Sequence, residues 1–95
     1  MSLKILFTDE ASEMLVSVVA FIENKWGENT AKKFLDSAYQ TFETVARQPY
    51  LFKASSLGKD IRIGLINKNC SFYYQVTDKN IIILFLWDNR QKASS

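Results

Sequence analysis

Residues 81–87 read Ile-Ile-Ile-Leu-Phe-Leu-Trp, seven apolar side chains without interruption. The run is bounded by Asp78-Lys79-Asn80 before it and Asp88-Asn89-Arg90 after it, both of which favour turns. It is far shorter than the ~18 residues of a membrane span, and its β-branched start favours extended backbone. A strand that is apolar at every position is expected at the centre of a sheet, covered on both faces. The rest of the chain must therefore supply neighbouring strands and something to cover them.

Neighbours are found on both sides in sequence. Leu3, Ile5 and Phe7 alternate with Lys4 and Leu6, predicting a first strand over residues 3–7. Ile61, Ile63 and Leu65 form one stripe of a second strand, with Arg62, Gly64 and Ile66 on its other side. Phe72, Tyr74 and Val76 oppose Ser71, Tyr73 and Gln75 in a third. Asn67-Lys68-Asn69 and Asp78-Lys79-Asn80 supply the turns of a three-stranded meander. The stripe Ile61, Ile63, Leu65 is read as the core side, which places Arg62 on the open face.

The cover is helical. Thr8 is suited to cap a helix whose first turn holds Asp9 and Glu10. Ala11, Met14, Leu15, Val18, Val19, Ile22 and Trp26 then recur at helical spacing up to Gly27. A second helix is predicted over residues 29–47, with Ala31, Phe34, Leu35, Ala38, Phe42, Val45 and Ala46 as its apolar stripe. Pro49 ends it, and residues 48–60 read as a loop. The order is β-α-α-β-β-β. The expected fold is α+β, a helical hairpin packed on a curved, mostly antiparallel four-stranded sheet, with residues 1–95 forming one domain.

Composition removes several function classes. Histidine is absent and cysteine occurs once, at Cys70, so no disulfide can close and imidazole acid–base chemistry is excluded. The soft ligands of a zinc site are missing, and neither a metal nor a cofactor is expected. No run is long enough to span a membrane, and the opening residues lack the pattern of a signal peptide, so a cytoplasmic protein is expected. The net charge of +2 hides an asymmetry: residues 1–47 carry five basic and seven acidic side chains, residues 48–95 seven and three. A basic working surface in the second half could meet phosphates.

The candidates for that surface are Lys53, Lys59, Arg62, Arg90 and Lys92, with Tyr73 as a phenol beside them. If Arg62 and Arg90 converge, they can hold a nucleic-acid backbone and stabilise a phosphate gaining charge in a transition state. Each also has a plainer reading: a strand arginine as a solvated charge, Tyr73 as a packing residue, Cys70 as a small hydrophobe.

The ordered pattern resembles the RelE/ParE toxin superfamily of type II toxin–antitoxin systems, which includes plasmid stabilisation proteins. The resemblance rests on the Trp26-Gly27 hinge, Ala31 and Phe34, the Gln48-Pro49 stop and Ile61-Arg62-Ile63. Phe72-Tyr73-Tyr74-Gln75-Val76 and Leu86-Trp87-Asp88-Asn89-Arg90-Gln91 complete it, from about residue 3 to 92. It implies a toxin restrained by a cognate antitoxin. RelE-like members cut mRNA on the ribosome without metal, the RNA's own 2′-hydroxyl attacking; ParE-like members poison DNA gyrase. Carried over by position, Arg62 would bind phosphate, Arg90 would stabilise the transition state, and Tyr73 would stand in as an acid. Gly64 and Ser71 occupy positions that are basic in RelE-like toxins, and no tyrosine follows Trp87. The first expectation is a ribosome-dependent endoribonuclease that arrests translation. The alternatives are a non-enzymatic gyrase inhibitor and a degenerate toxin that serves as an antitoxin-binding module.

Overall fold

The computed structural model describes residues 2–91. Strand β1 (Lys4–Phe7) leads into helices α1 (Asp9–Trp26) and α2 (Glu28–Arg47). Strands β2 (Ala54–Ser55), β3 (Gly58–Asn67), β4 (Cys70–Val76) and β5 (Asn80–Asp88) follow, and a 3₁₀ turn covers Asn89–Gln91. The strands form one sheet in the order β1-β5-β4-β3-β2. β1 pairs with β5 in parallel and the other pairings are antiparallel. The sheet has five strands where four are expected. The extra one, β2, lies inside the segment read as loop, and two residues are too few to display alternation.

Two residues organise the helical hairpin. The Thr8 hydroxyl accepts the Ala11 amide at 3.0 Å and donates to the Leu84 carbonyl at 2.6 Å. Its backbone amide donates to Ile83, so one side chain ends β1, starts α1 and fastens both to β5. Gly27 adopts φ +98°, the left-handed region that glycine reaches without steric cost. Its amide closes α1 on Glu23 and its carbonyl opens α2 by accepting from Ala31. The chain reverses on that single residue.

The hairpin packs on one face of the sheet. Ala11, Leu15, Val18 and Ile22 of α1, with Ala31, Phe34, Ala38, Phe42 and Val45 of α2, meet Cys70, Phe72, Tyr74, Ile81, Ile83 and Leu86. Phe42 lies at the middle, edge-on to Phe7 at 5.4 Å and to Phe72 at 5.1 Å. Full burial of each such ring contributes about 2–3 kcal/mol. β5 is an interior strand, as its composition requires, but only one of its faces is covered: Trp87 remains half exposed.

The facing of β3 reverses the expectation. Arg62 pairs with Tyr74 and Gly64 with Phe72, so Arg62 and Gly64 share the helix-facing side. Ile61, Ile63 and Leu65 lie on the open side with Ser71, Tyr73 and Gln75. Gly64 is where the helix-facing aromatics come closest: a Cβ there would lie 2.5 Å from Phe72 Cζ and 2.9 Å from Phe52 Cδ2. Those rings fill the space that a β3 side chain would need. No helix of the described residues is long and apolar enough to cross a membrane.

Candidate functional site

The structure separates the residues that the sequence groups together. Arg62 projects from β3 under the loop of residues 48–57, where its Nη1 donates to the Phe52 carbonyl at 2.6 Å. Its guanidinium lies over the Tyr50 ring, 4.7 Å from the centroid, and its buried Nε has no hydrogen-bond partner. The same loop is held by the Tyr74 hydroxyl, which donates to the Pro49 carbonyl at 2.8 Å. Burial pushes the Tyr74 phenol above its ordinary value, against the opposing pull of the Phe52 backbone and the Arg62 charge. Arg62 thus serves as a clamp on the loop that follows α2.

Arg90 is held at the other end of the strands. The 3₁₀ turn brings its guanidinium back onto Asp88, with Nε 3.1 Å from Oδ1 and Nη2 2.8 Å from Oδ2. The Arg90 amide also donates to Asp88 Oδ1 at 2.8 Å, an Asx turn closed by its own charge partner. The Asp88 carboxylate has no exposed surface, and these three hydrogen bonds offset the cost of its desolvation. They also raise the Arg90 pKa further above its ordinary value. The outer face of the guanidinium meets Trp26 at the end of α1, 5.5 Å from the ring centroid.

Arg62 and Arg90 therefore do not converge. Arg62 pairs across from Tyr74 and Asp88 from Cys70, four β4 residues away, a backbone separation of about 13 Å. Each arginine is also turned toward its own partner. Tyr73 lies on the opposite face of the sheet, stacked on Phe85 at 4.6 Å with the rings 23° apart. Lys53 is exposed beside β2 and Lys59 belongs to β3, whereas Lys92 lies outside the described residues. Cys70 is fully buried, and burial with the nearby Asp88 charge pushes its thiol up to about 12, so it is no nucleophile at neutral pH.

The centre of the open face is apolar rather than basic, with Lys4 of β1 at its edge. From Ile61 onward its described side chains are Ile61, Ile63 and Leu65 of β3, Ser71, Tyr73 and Gln75 of β4, and Ile82, Phe85 and Trp87 of β5. None is charged. Ile63, Ser71, Tyr73, Phe85 and Trp87 line a slot of about 250 Å³. A second apolar groove, of about 360 Å³, crosses the outer surface of the hairpin between Val16, Val19, Ala20, Leu35 and Tyr39. Tyr50, Leu51 and Leu57 add exposed apolar surface on the loop. Among the described residues no group of acids and thiols is placed to hold a metal ion.

Asp88 directly follows the apolar run, a position from which it can pair with Arg90 or cap a turn. The structure has it doing both, and its buried carboxylate sets the position of Arg90. Tyr50 and Phe52, the partners of Arg62, carried no local signal because they lie ten or more residues away in sequence.

Comparison with known proteins gives a consistent family. The model of the ParE toxin of type II toxin–antitoxin system, parDE, matches residues 5–93. No curated protein sequence matches. Among solved structures, the chromosomal ParDE system from P. aeruginosa superposes with TM-score 0.75 at 17% identity, covering 92% of this chain and 96% of that one. The YoeB dimer from Staphylococcus aureus gives 0.65 at 19% identity, over 92% and 97% of the two chains. The E. coli DinJ-YafQ toxin–antitoxin complex gives 0.64 at 10%, over 99% and 100%. These likenesses share the two helices on an open mixed sheet, and the family match spans nearly the whole sequence. The chain belongs to the ParE toxin family of type II toxin–antitoxin systems, within the RelE/ParE superfamily.

Proposed function

We propose that this toxin acts by binding its target rather than by cutting RNA, with DNA gyrase as the target and a cognate antitoxin covering its apolar surfaces in the cytoplasm. The observation that carries this reading is the dispersal of Arg62, Arg90 and Tyr73. A metal-independent cleavage needs an acid, a base and a phosphate-stabilising cation within hydrogen-bond reach of one phosphate. Here Arg62 is held at the Phe52 carbonyl, Arg90 is held on Asp88 at the other end of the strands, and Tyr73 faces away from both, so the three cannot meet one phosphate. The open sheet face, which a ribonuclease of this design would line with cations, presents Ile63, Tyr73, Phe85 and Trp87 instead.

Apolar surface of this kind is suited to protein partners. An antitoxin helix laid in the groove of Val16, Val19 and Tyr39 would follow the helix-in-groove mode of recognition. Lys53 remains available to meet an acidic rim on the target.

The decisive experiment adds the purified chain to a gyrase supercoiling reaction and, in parallel, to a reconstituted translation reaction. Accumulated gyrase–DNA cleavage complexes with intact mRNA are expected. Ribosome-dependent mRNA cuts that disappear with Arg62→Ala or Arg90→Ala would overturn the proposal and restore the endoribonuclease reading.

A further inference from the structure

One polar notch is left unused by any of this. It opens beside Arg90 at the α1–α2 corner, has a volume of about 210 Å³, and has Ile22 and Phe34 among its lining residues. Its polar lining includes three nitrogen groups. Arg90 commits Nε and Nη2 to Asp88, while Nη1 makes no hydrogen bond to any described residue. Lys33 Nζ forms no ion pair among the described residues. The Asn67 side-chain oxygen is consumed by the Asn69 and Cys70 amides, at 2.8 and 3.0 Å, which leaves its NH₂ as the free end.

We propose that Arg90, Lys33 and Asn67 form a binding notch for a single carboxylate side chain on an acidic, apolar segment of a protein partner. The free groups are donors and two of them are cationic, which selects an anion. Asp88 fixes the guanidinium before any ligand arrives, so little side-chain entropy is lost on binding. The choice of a carboxylate over a nucleic-acid backbone follows from the surroundings. Ile22 and Phe34 suit the methylenes of a glutamate, and the half-exposed Trp26 next to Arg90 extends the apolar surroundings. The site is independent of which macromolecule the toxin inhibits.

The test follows the Arg90 Nε–H and Asn67 side-chain amide resonances of the full chain by NMR. N-acetyl-glutamate methylamide is the titrant, at constant ionic strength, with N-acetyl-glutamine methylamide as its neutral control. Saturable shifts with the glutamate probe alone are expected, weakened about threefold by Lys33→Gln on the exposed face of α2. Equal shifts with the glutamine probe or with added sodium chloride would overturn the proposal. So would an affinity unchanged by Lys33→Gln. Tighter binding of a uridine tetranucleotide at the same resonances would replace the carboxylate by a nucleic-acid phosphate.

Discussion

The two faces of the sheet are built from nearly the same kinds of residue and yet behave as different materials. On the helix side Cys70, Phe72, Tyr74, Ile81, Ile83 and Leu86 have no exposed surface. On the open side Ile63, Tyr73, Phe85 and Trp87 carry comparable apolar area and stay partly in water, with Trp87 52% exposed. The difference teaches that hydrophobicity sets how much of a strand can be buried, while the position of the helices sets which side is. The buried face supplies stability; the open face stays partly in water.

The largest contrast is expected from aromatic truncations on the two sides. Phe72→Ala should cost about 3–5 kcal/mol of folding stability in urea denaturation, because Phe42, Phe52 and Tyr74 cannot close over the gap. Trp87→Ala should cost under about 1 kcal/mol. Comparable losses would mean that both faces are covered in the free protein. Gly64→Ala comes next. Its new methyl would press on Phe72 and Phe52, and an overpacking cost of about 1–3 kcal/mol is expected, whereas Ser71→Ala on the open face should be nearly neutral.

A smaller effect concerns pH. Folding raises the Cys70 thiol from an ordinary value of 9.0 to about 12, so the unfolded chain loses this proton first. The contribution is fully present below pH 9 and is lost as the pH rises toward 12. The buried Tyr74 phenol, also raised, adds a decline of the same sign. Cys70→Ala should make the alkaline loss of stability shallower in thermal melts from pH 8 to 11. An unchanged slope would show that the thiol is more open to water than the helix-facing side requires. The least perturbing substitution is Tyr73→Phe, which keeps the stack on Phe85. Near-neutral stability and unchanged toxicity are expected in a growth assay. Loss of toxicity with an intact fold would give the phenol a chemical role and turn the open face into an active surface.

Much of the architecture was legible in advance. Thr8 before an acidic first turn, Gly27 between two apolar periods, Pro49 and the seven-residue run of β5 are local signals, and each marks an element end or type where the structure has it. The candidate site was not legible in the same way. Arg62 and Tyr73 are eleven residues apart and share a face only if Ile61, Ile63 and Leu65 form the buried stripe. Alternation on β3 favours that stripe, and it is overridden by the rings of Phe52 and Phe72, which fill the volume over Gly64.

What the sequence determined by itself is therefore the two helices, the four longer strands, their order and the family, because caps, breakers and periodicity act over a few residues; the two-residue β2 is too short to leave such a signal. The tertiary structure alone decided which face of the sheet the hairpin covers, that Gly64 rather than Ile63 lies beneath Phe72, and that Arg62 and Arg90 are turned toward separate partners. The reason is physical. Facing is fixed by how large rings fill a shared volume, and the direction of a long cationic side chain is fixed by whichever distant carbonyl or carboxylate desolvation leaves within its reach.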